Sequence, residues 1–156
     1  MPGWRRALLR ARFGMLNVYP PYVGAGIRLL HVSSDLLTFD VAMRMHLWNR
    51  NYVGTHFGGS LYSMCDPFFM LILFEQLGRE HVVWDKAASI RFRRPGRGTV
   101  TAHFHIPASE IEDIRQRAAV EPKVEPTFHT CVVDARGQVV AEVEKLCYVR
   151  RKGARG

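Results

Sequence analysis

Two adjacent glycines and one isolated acidic residue are the residues of this sequence best suited to chemistry. Gly58 and Gly59 open an apolar run in which Asp66 is the only charge before Glu75. Glycines at a helix start let backbone N–H groups approach a ligand closely, and the helix dipole there favours an oxygen that gains negative charge. A carboxylate in an apolar segment is costly to bury unless something pairs with it or uses it. Together they suggest a site that polarises a carbonyl group and directs water or a nucleophile at it.

The same residues also have structural interpretations. Asp66 followed by Pro67 is typical of a helix N-cap with proline at the first helical position. Pro67 within a helix would kink it in either case. The glycine pair is compatible with a tight turn or a close helix–strand contact, and Asn51 alone is typical of a turn.

Hydrophobic periodicity predicts the elements that must position these residues. Residues 57–77 form an apolar helix that ends near Gly78, and so apolar a helix must be covered on most sides. The other predicted elements are a basic amphipathic helix at 4–15, strands at 25–32, 37–46, 88–93, 100–106, 127–134 and 138–149, and a short exposed helix at 108–119. We therefore predict an α+β fold in which an antiparallel sheet of about six strands wraps around a central helix.

Length and composition indicate one globular domain. The 156 residues are 47% hydrophobic, and no apolar run reaches the length of a membrane span. No signal peptide is recognisable, and the three cysteines are widely spaced, so we expect a reducing, cytoplasmic setting. We divide the chain into a basic helix and loop at 1–24, the main domain at 25–150 and a basic tail at 151–156.

The net charge of +8 comes from the two ends of the chain. Residues 1–12 and 150–156 each hold four basic side chains and no acidic one, while the segment between them is neutral. Basic termini are commonly solvated tails, and aromatic platforms interleaved with basic residues are missing. We therefore expect no nucleic-acid partner.

The order of two strands, a central helix and four strands resembles the hotdog fold. Residues 51–66 resemble the helix-entry motif of phenylacetyl-CoA-type hotdog thioesterases, N-x-x-G-x-x-H-G-G with Asp eight residues after the first paired glycine. The stretch from Asn51 through Trp84-Asp85-Lys86 to 94–98 is also similar to an uncharacterised bacterial hotdog family labelled as tetrameric acyl-CoA thioesterases. One position departs from the motif: the family histidine is Phe57, and His56 is displaced by one residue.

This resemblance implies roles for the matching residues. The N–H of Gly58 would bind the thioester oxygen, Asp66 from a partner subunit would act as base or nucleophile, and Asn51 would orient water or the carbonyl group. Gly59, His56 and Phe57 would contact the substrate. The resemblance implies no cofactor apart from the coenzyme A of the substrate itself.

Asp85 and four arginines are further candidates. Asp85 matches a family position near the catalytic carboxylate, but it is also compatible with a surface ion pair to Lys86. We expect burial to raise the pKa of Asp66, and we expect coupled titration if the two aspartates lie close together. The turn at Pro95-Gly96 is flanked by arginines without a nearby acidic residue, suited either to coenzyme A phosphates or to a solvated turn: Arg91, Arg93, Arg94 and Arg97.

Other reactive residues have simpler interpretations. Cys65 is interpreted as a buried structural thiol because no neighbouring base or cation would activate it. His103, His105 and His129 are interpreted as an outward polar face, and we expect no metal site.

The leading functional hypothesis is an acyl-CoA thioesterase that acts as a homodimer or homotetramer, because an exposed sheet edge and a two-chain site both require pairing. The alternative is an acyl-CoA-binding or scaffold protein without catalysis, which Phe57 favours. A hotdog dehydratase is less well supported, because position 70, where such enzymes carry an acidic residue, is Met.

Overall fold

The computed structural model describes residues 3–153, apart from the side chains of residues 5 and 6. Residues 1–2 of the predicted N-terminal segment and residues 154–156 of the predicted basic tail lie outside this range. The helices are α1 (Gly3–Gly14), a 3₁₀ helix (Met15–Val18), α2 (Pro20–Ala25), α3 (Gly58–Ser63), α4 (Phe68–Leu77) and α5 (Ala108–Val120). The strands are β1 (Ile27–Val32), β2 (Thr38–Arg44), β3 (His81–Phe92), β4 (Thr99–His105), β5 (Thr127–Asp134) and β6 (Val139–Arg151).

The six strands form one antiparallel sheet in the order β1-β2-β4-β5-β6-β3. The apolar helix α4 packs on its inner face, with the rings of Phe68 and Phe69 against Phe104 of β4. This α+β architecture is the hotdog fold, so the predicted fold class is confirmed. β1 and β3 are the edge strands, and the twelve-residue β3 pairs on one side with β6.

The predicted central helix is two helices in the structure. α3 ends at Ser63 and α4 begins at Phe68, so the chain breaks its helical path before Pro67. A proline at this point cannot donate its backbone nitrogen to the preceding turn, which accounts for the break. The expected kink is confirmed. The N-cap of α4 is Pro67, with no side-chain cap, so the interpretation of Asp66 as a helix cap is wrong.

The pairing of β3 with β6 sets which side chains meet beneath the sheet. A bulge lies between Asp85 and Ala87, where Asp85 pairs with Cys147 and Ala88 pairs with Lys145. Val143, Lys145 and Cys147 are all buried, because alternate residues of β6 face inward. A lysine therefore occupies a core position directly beneath the break between α3 and α4.

The N-terminal segment packs on the sheet through few side chains. Phe13 of α1 is buried against Phe39 of β2, with ring centroids 5.1 Å apart. α5 also covers the fold with Ile111 and Ile114 buried, so the helix predicted to be exposed has one buried face. The division into 1–24, 25–150 and 151–156 stays a prediction.

Candidate active site

The loop before α3 is organised around Asn51. Its Oδ1 accepts hydrogen bonds from the N–H groups of Val53 (3.1 Å) and Thr55 (2.9 Å). Its Nδ2 donates to Thr55 Oγ1 at 2.8 Å and to the carbonyl oxygen of His56 at 3.2 Å. The side chain thus closes the loop that leads to Gly58. Its proposed role in orienting water or substrate stays a prediction.

The two glycines lie between two aromatic rings. A Cβ on Gly58 would come within 3.0 Å of the Phe92 ring, and one on Gly59 would come within 2.5 Å of the Phe57 ring. Any larger residue would have to displace a ring, so the glycines permit this close packing. Within residues 3–153, no hydrogen-bond acceptor lies opposite the N–H of Gly58.

A cavity of about 410 Å³ adjoins Gly58. Its lining includes Asn51, His56, Gly58, Arg93 and Arg94. The structure therefore brings five of the sequence-predicted site residues together. Phe57 and Gly59 instead line a neighbouring groove with Ser60 and Ser63, although Asn51 borders both.

His56 is buried within the wall of this cavity. Its backbone N–H donates to the carbonyl oxygen of Gly96, and its ring Nε2 donates to that of Gly98 at 2.9 Å. Because Nε2 carries the proton, Nδ1 is the acceptor, and it has no partner within residues 3–153. Burial lowers the pKa of His56, so the neutral ring is favoured.

The arginines near Pro95 do have an acidic neighbour, contrary to the expectation. Arg93, just past the end of β3, donates to Glu142 of β6 at 2.6 Å. The register of β3 and β6 places Arg91 directly opposite the same Glu142. Arg94 donates to Gln138, and Arg97 donates to the carbonyl oxygen of Gly54 at 3.1 Å. Within residues 3–153, Arg94 and Arg97 therefore have neutral hydrogen-bond partners and no bonded carboxylate.

A second region centres on Asp66. The fully buried Lys145 donates to Asp66 Oδ1 at 2.8 Å, and the Tyr62 hydroxyl donates to the same oxygen at 2.7 Å. Lys145 also donates to the Tyr62 oxygen at 2.9 Å. The Asp66 side chain is 50% exposed, and its Oδ2 has no partner within residues 3–153. One carboxylate oxygen is thus fixed from below while the other faces outward.

Asp85 lies on the other side of the same lysine. Its Oδ2 is 2.9 Å from Lys145 Nζ, and its Oδ1 accepts a long contact of 3.5 Å from the thiol of Cys147. The alternative interpretation of Asp85 as a surface partner of Lys86 is wrong, since Lys86 bonds Glu125. The two aspartates share one ammonium group, which meets the condition for coupled titration.

The environment shifts the pKa values of Asp66 and Asp85 in opposite directions. Burial raises the pKa of Asp66, but the hydrogen bonds from Lys145 and Tyr62 and the lysine charge outweigh it and hold that pKa below its usual range. The expected rise for Asp66 is therefore wrong. Burial dominates at Asp85 and raises its pKa, with the negative charge of Asp66 adding to the effect. Both carboxylates raise the pKa of Lys145 despite its burial.

Three residues of these two regions were not predicted from the sequence as site residues: Lys145, Tyr62 and Phe92. A signal for Lys145 was present: it replaces an apolar residue in the alternating set Val143, Lys145, Cys147 on β6, and a lysine on a core face requires an anion. Tyr62 lies one helical turn before Asp66, the spacing at which side chains meet.

Cys65, His103 and His105 lie outside the cavity and make contacts typical of structural residues. Cys65 is buried, and desolvation raises its pKa to about 12, so the structural interpretation is confirmed. His103 is exposed and pairs with Asp40 at 2.6 Å, and His105 bonds Thr38. Among the described residues, no group of three or more His, Cys, Asp or Glu side chains is arranged to hold a metal.

Residues 8–149 match the family described as a domain of unknown function, DUF4442. The chain belongs to this family. A comparison with curated proteins finds no match.

Solved structures with the same fold are similar over nearly the whole chain. PA5026 of Pseudomonas aeruginosa, described as a protein of unknown function, is 20% identical with a TM-score of 0.81, covering 97% of each chain. The PaaI protein of the Escherichia coli phenylacetic acid degradation operon is 19% identical with a TM-score of 0.64, covering 98% of each chain. The thioesterase HI1161 of Haemophilus influenzae is 13% identical with a TM-score of 0.67, covering 91% of this chain and 90% of the other. At these identities the likeness establishes the hotdog fold.

In the part of the chain that the structure describes, no helix combines the length and the hydropathy that crossing a bilayer requires.

Proposed function

We propose that this DUF4442 protein hydrolyses acyl-CoA thioesters at a site shared by two protomers. The observation that carries the proposal is that two half-sites lie toward opposite ends of one edge strand. The Gly58 cavity adjoins Phe92 at the end of β3, and the half-exposed Asp66 is linked through Lys145 to Asp85 near its start. The similar fold of the thioesterase HI1161 supports the same reaction class.

Antiparallel pairing of two β3 edges would unite the half-sites. In such a pair the Asp85 end of one strand lies beside the Phe92 end of the other. Asp66 of one protomer would then approach the Gly58 cavity of its partner, whereas within one chain α3 and the start of the break after it separate the two. Pairing would also cover a twelve-residue edge strand that is otherwise open to aggregation. A homodimer, or a tetramer of two such dimers, follows.

The chemistry assigned to the site is acyl transfer to water. Asp66 Oδ2 removes a proton from water as the water oxygen bonds to the thioester carbon, and the Gly58 N–H stabilises the negative oxygen that forms. The carbon–sulfur bond then breaks, and the leaving thiolate takes up the proton held by Asp66, which restores the carboxylate. In the other route Asp66 Oδ2 itself bonds to the carbon, the carbon–sulfur bond breaks and the thiolate leaves. Water then hydrolyses the resulting anhydride to the acid and the Asp66 carboxylate, and the thiolate takes up the proton released. Either route needs Asp66 ionised, and the lysine and tyrosine contacts favour that state.

A non-catalytic acyl-CoA-binding protein is the second candidate. Two observations favour it: Phe57 replaces the histidine of the resembling motif, and the Asn51 amide is fully engaged in its own loop. The structure adds no support for a dehydratase, since position 70, where such enzymes carry an acidic residue, is a methionine on the apolar helix α4. A cytoplasmic location remains part of the proposal.

Thiol release from a panel of acyl-CoA thioesters tests the proposal. We expect turnover by the unmodified protein and a loss of about 100-fold or more in Asp66→Asn, which removes the base or nucleophile. Asp113→Asn, on the exposed face of α5, is the matched control and should keep full activity. Turnover unaffected by Asp66→Asn would reject the assigned role. Tight binding without turnover would favour the second candidate, and hydration of an enoyl thioester would favour a dehydratase.

A further inference from the structure

The ammonium group of Lys145 contacts two carboxylates, and the thioesterase-like motif at residues 51–66 includes only one of them, Asp66. The Lys145 side chain is completely buried, yet its ammonium group contacts Asp66, Asp85 and the hydroxyl of Tyr62 within 2.9 Å. Burying an ammonium group costs several kcal/mol unless partners compensate it. Three partners arranged around one nitrogen compensate it and fix its position.

The two carboxylates are not equivalent in their exposure and bonding. Asp66 keeps one free oxygen, and half of its side chain is exposed. Asp85 is 23% exposed, and both of its oxygens have contacts, to Lys145 and to Cys147. The reactive geometry therefore belongs to Asp66, and Asp85 faces the lysine.

We propose that Lys145 is a positioning residue that makes the two acidic residues different. With Tyr62 it occupies Asp66 Oδ1, which leaves Oδ2 ionised and directed outward. Asp85 anchors Lys145 from the opposite side and does not react. The proposal rests on the proposed thioesterase function, and it assigns Asp85 a role different from the catalytic one predicted for it.

Opposite effects follow from removing the lysine or its anchor. Without Lys145, Asp66 loses its counter-charge and its pKa rises. Without the negative charge of Asp85, Lys145 interacts with Asp66 alone, and the pKa of Asp66 falls. A residue that merely filled space would produce neither effect. The titratable or charged groups that interact with Asp66 come from four elements and the segment beside Asp66 itself: Tyr22 of α2, Tyr62 of α3, Cys65, Asp85 of β3 and Lys145 of β6. Cys147 of β6 contacts Asp85.

The experiment follows the Asp66 carboxyl carbon by NMR during a pH titration of the full chain. Lys145→Met should raise the measured pKa of Asp66 by about one to three pH units, Asp85→Asn should lower it, and Lys145→Arg should keep it near its original value. Circular dichroism verifies that each variant is folded. Should Lys145→Met not fold, Tyr62→Phe removes one hydrogen bond to Oδ1 and should raise the pKa by a smaller amount.

Activity gives a second readout. Because Asp66 must be ionised, turnover is lost as pH falls through its pKa, so the acidic limb of kcat/KM should move up in Lys145→Met and down in Asp85→Asn. An Asp66 titration that is unchanged in both Lys145→Met and Tyr62→Phe, or that moves the same way in Lys145→Met and Asp85→Asn, overturns the proposal. The NMR titration does not depend on turnover, so it tests the positioning role of Lys145 even in an inactive protein. Absence of thioesterase activity in the unmodified protein would refute the proposed function alone.

Discussion

The two half-sites are built from different physical components. The cavity at Gly58 is formed by backbone groups, the ring of Phe92 and a neutral, buried His56, with Arg93 and Arg94 in its lining. The region at Asp66 is formed by charges around one buried ammonium group. The first can accept a carbonyl oxygen but offers no free base of its own except a buried imidazole nitrogen. The second offers a base but no backbone donor for the oxygen, so each supplies what the other lacks.

Combining two inactive variants is the strongest test of this division. Asp66→Asn removes the base, and Gly58→Val fills the space beside Phe92, where even a Cβ would come within 3.0 Å of the ring. Each should be inactive alone. If the proteins are refolded together in equal amounts, half the dimers are mixed and each has one intact site, so activity should return to about a quarter of the unmodified level.

The double variant Asp66→Asn/Gly58→Val provides the control for this mixture. Refolded with Asp66→Asn, it should restore nothing, because no combination of its subunits contains an intact pair of half-sites. Mixed dimers confirmed by native mass spectrometry but lacking activity would place the whole site within one protomer.

The charged region should also carry more of the stability than the cavity. Lys145→Met leaves two carboxylates without their cation. We expect the free energy of unfolding to fall by about 2–3 kcal/mol. This is below the roughly 3–5 kcal/mol usual for breaking a fully buried pair, because Asp66 is half exposed. Urea unfolding at neutral pH measures it. Lys123→Met is the control: this exposed lysine pairs with Glu125 at the surface, and its replacement should change the free energy of unfolding far less than Lys145→Met does.

The pH dependence of that loss has a definite sign. The folded-state pKa of Asp66 lies below its ordinary value of 3.8, so its contribution is present above pH 3.8 and is lost as pH falls through the folded-state pKa. The pKa of Lys145 lies above its ordinary value of 10.5, so its contribution is lost only as strongly alkaline pH rises through the folded-state pKa. The difference between Lys145→Met and the unmodified protein should therefore be largest at neutral pH and shrink in acid. A difference that is constant with pH would show that the lysine stabilises by packing alone.

The same contrast explains what could be predicted from the sequence. The cavity is largely local, since Asn51 and Gly58 are close along the chain and Arg93 and Arg94 follow β3 directly, so a motif and an alternating pattern indicated most of it. The fold was predictable for the same reason, because hydrophobic periodicity shows which faces are buried. The break between α3 and α4 was expected from Pro67, whose chemistry is local.

The charged region depends on strand pairing that no local pattern specifies. Asp66, Asp85 and Lys145 meet because β3 and β6 pair in one register, with a bulge after Asp85. A shift of one residue would turn Lys145 toward solvent. Without that register, burial alone predicted a raised pKa for Asp66, whereas the neighbouring ammonium group reverses the direction. The acidic partner of Arg93 was missed for the same reason.

The smallest expected effect concerns the arginines at the edge of the cavity. Arg94 and Arg97 lack a bonded carboxylate in the described chain, whereas Arg93 already bonds Glu142. If Arg94 and Arg97 bind coenzyme A phosphates, Arg94→Ala/Arg97→Ala should raise KM about tenfold with little change in kcat, while Arg93→Ala should raise it less than about threefold. The effect should weaken at high salt, since exposed charges are screened. A thioester that lacks the nucleotide phosphates is the matched substrate, and its KM should not respond to the double variant. An equal rise for both substrates would mean that these arginines shape the cavity through the contact of Arg97 with Gly54 and do not recognise phosphate.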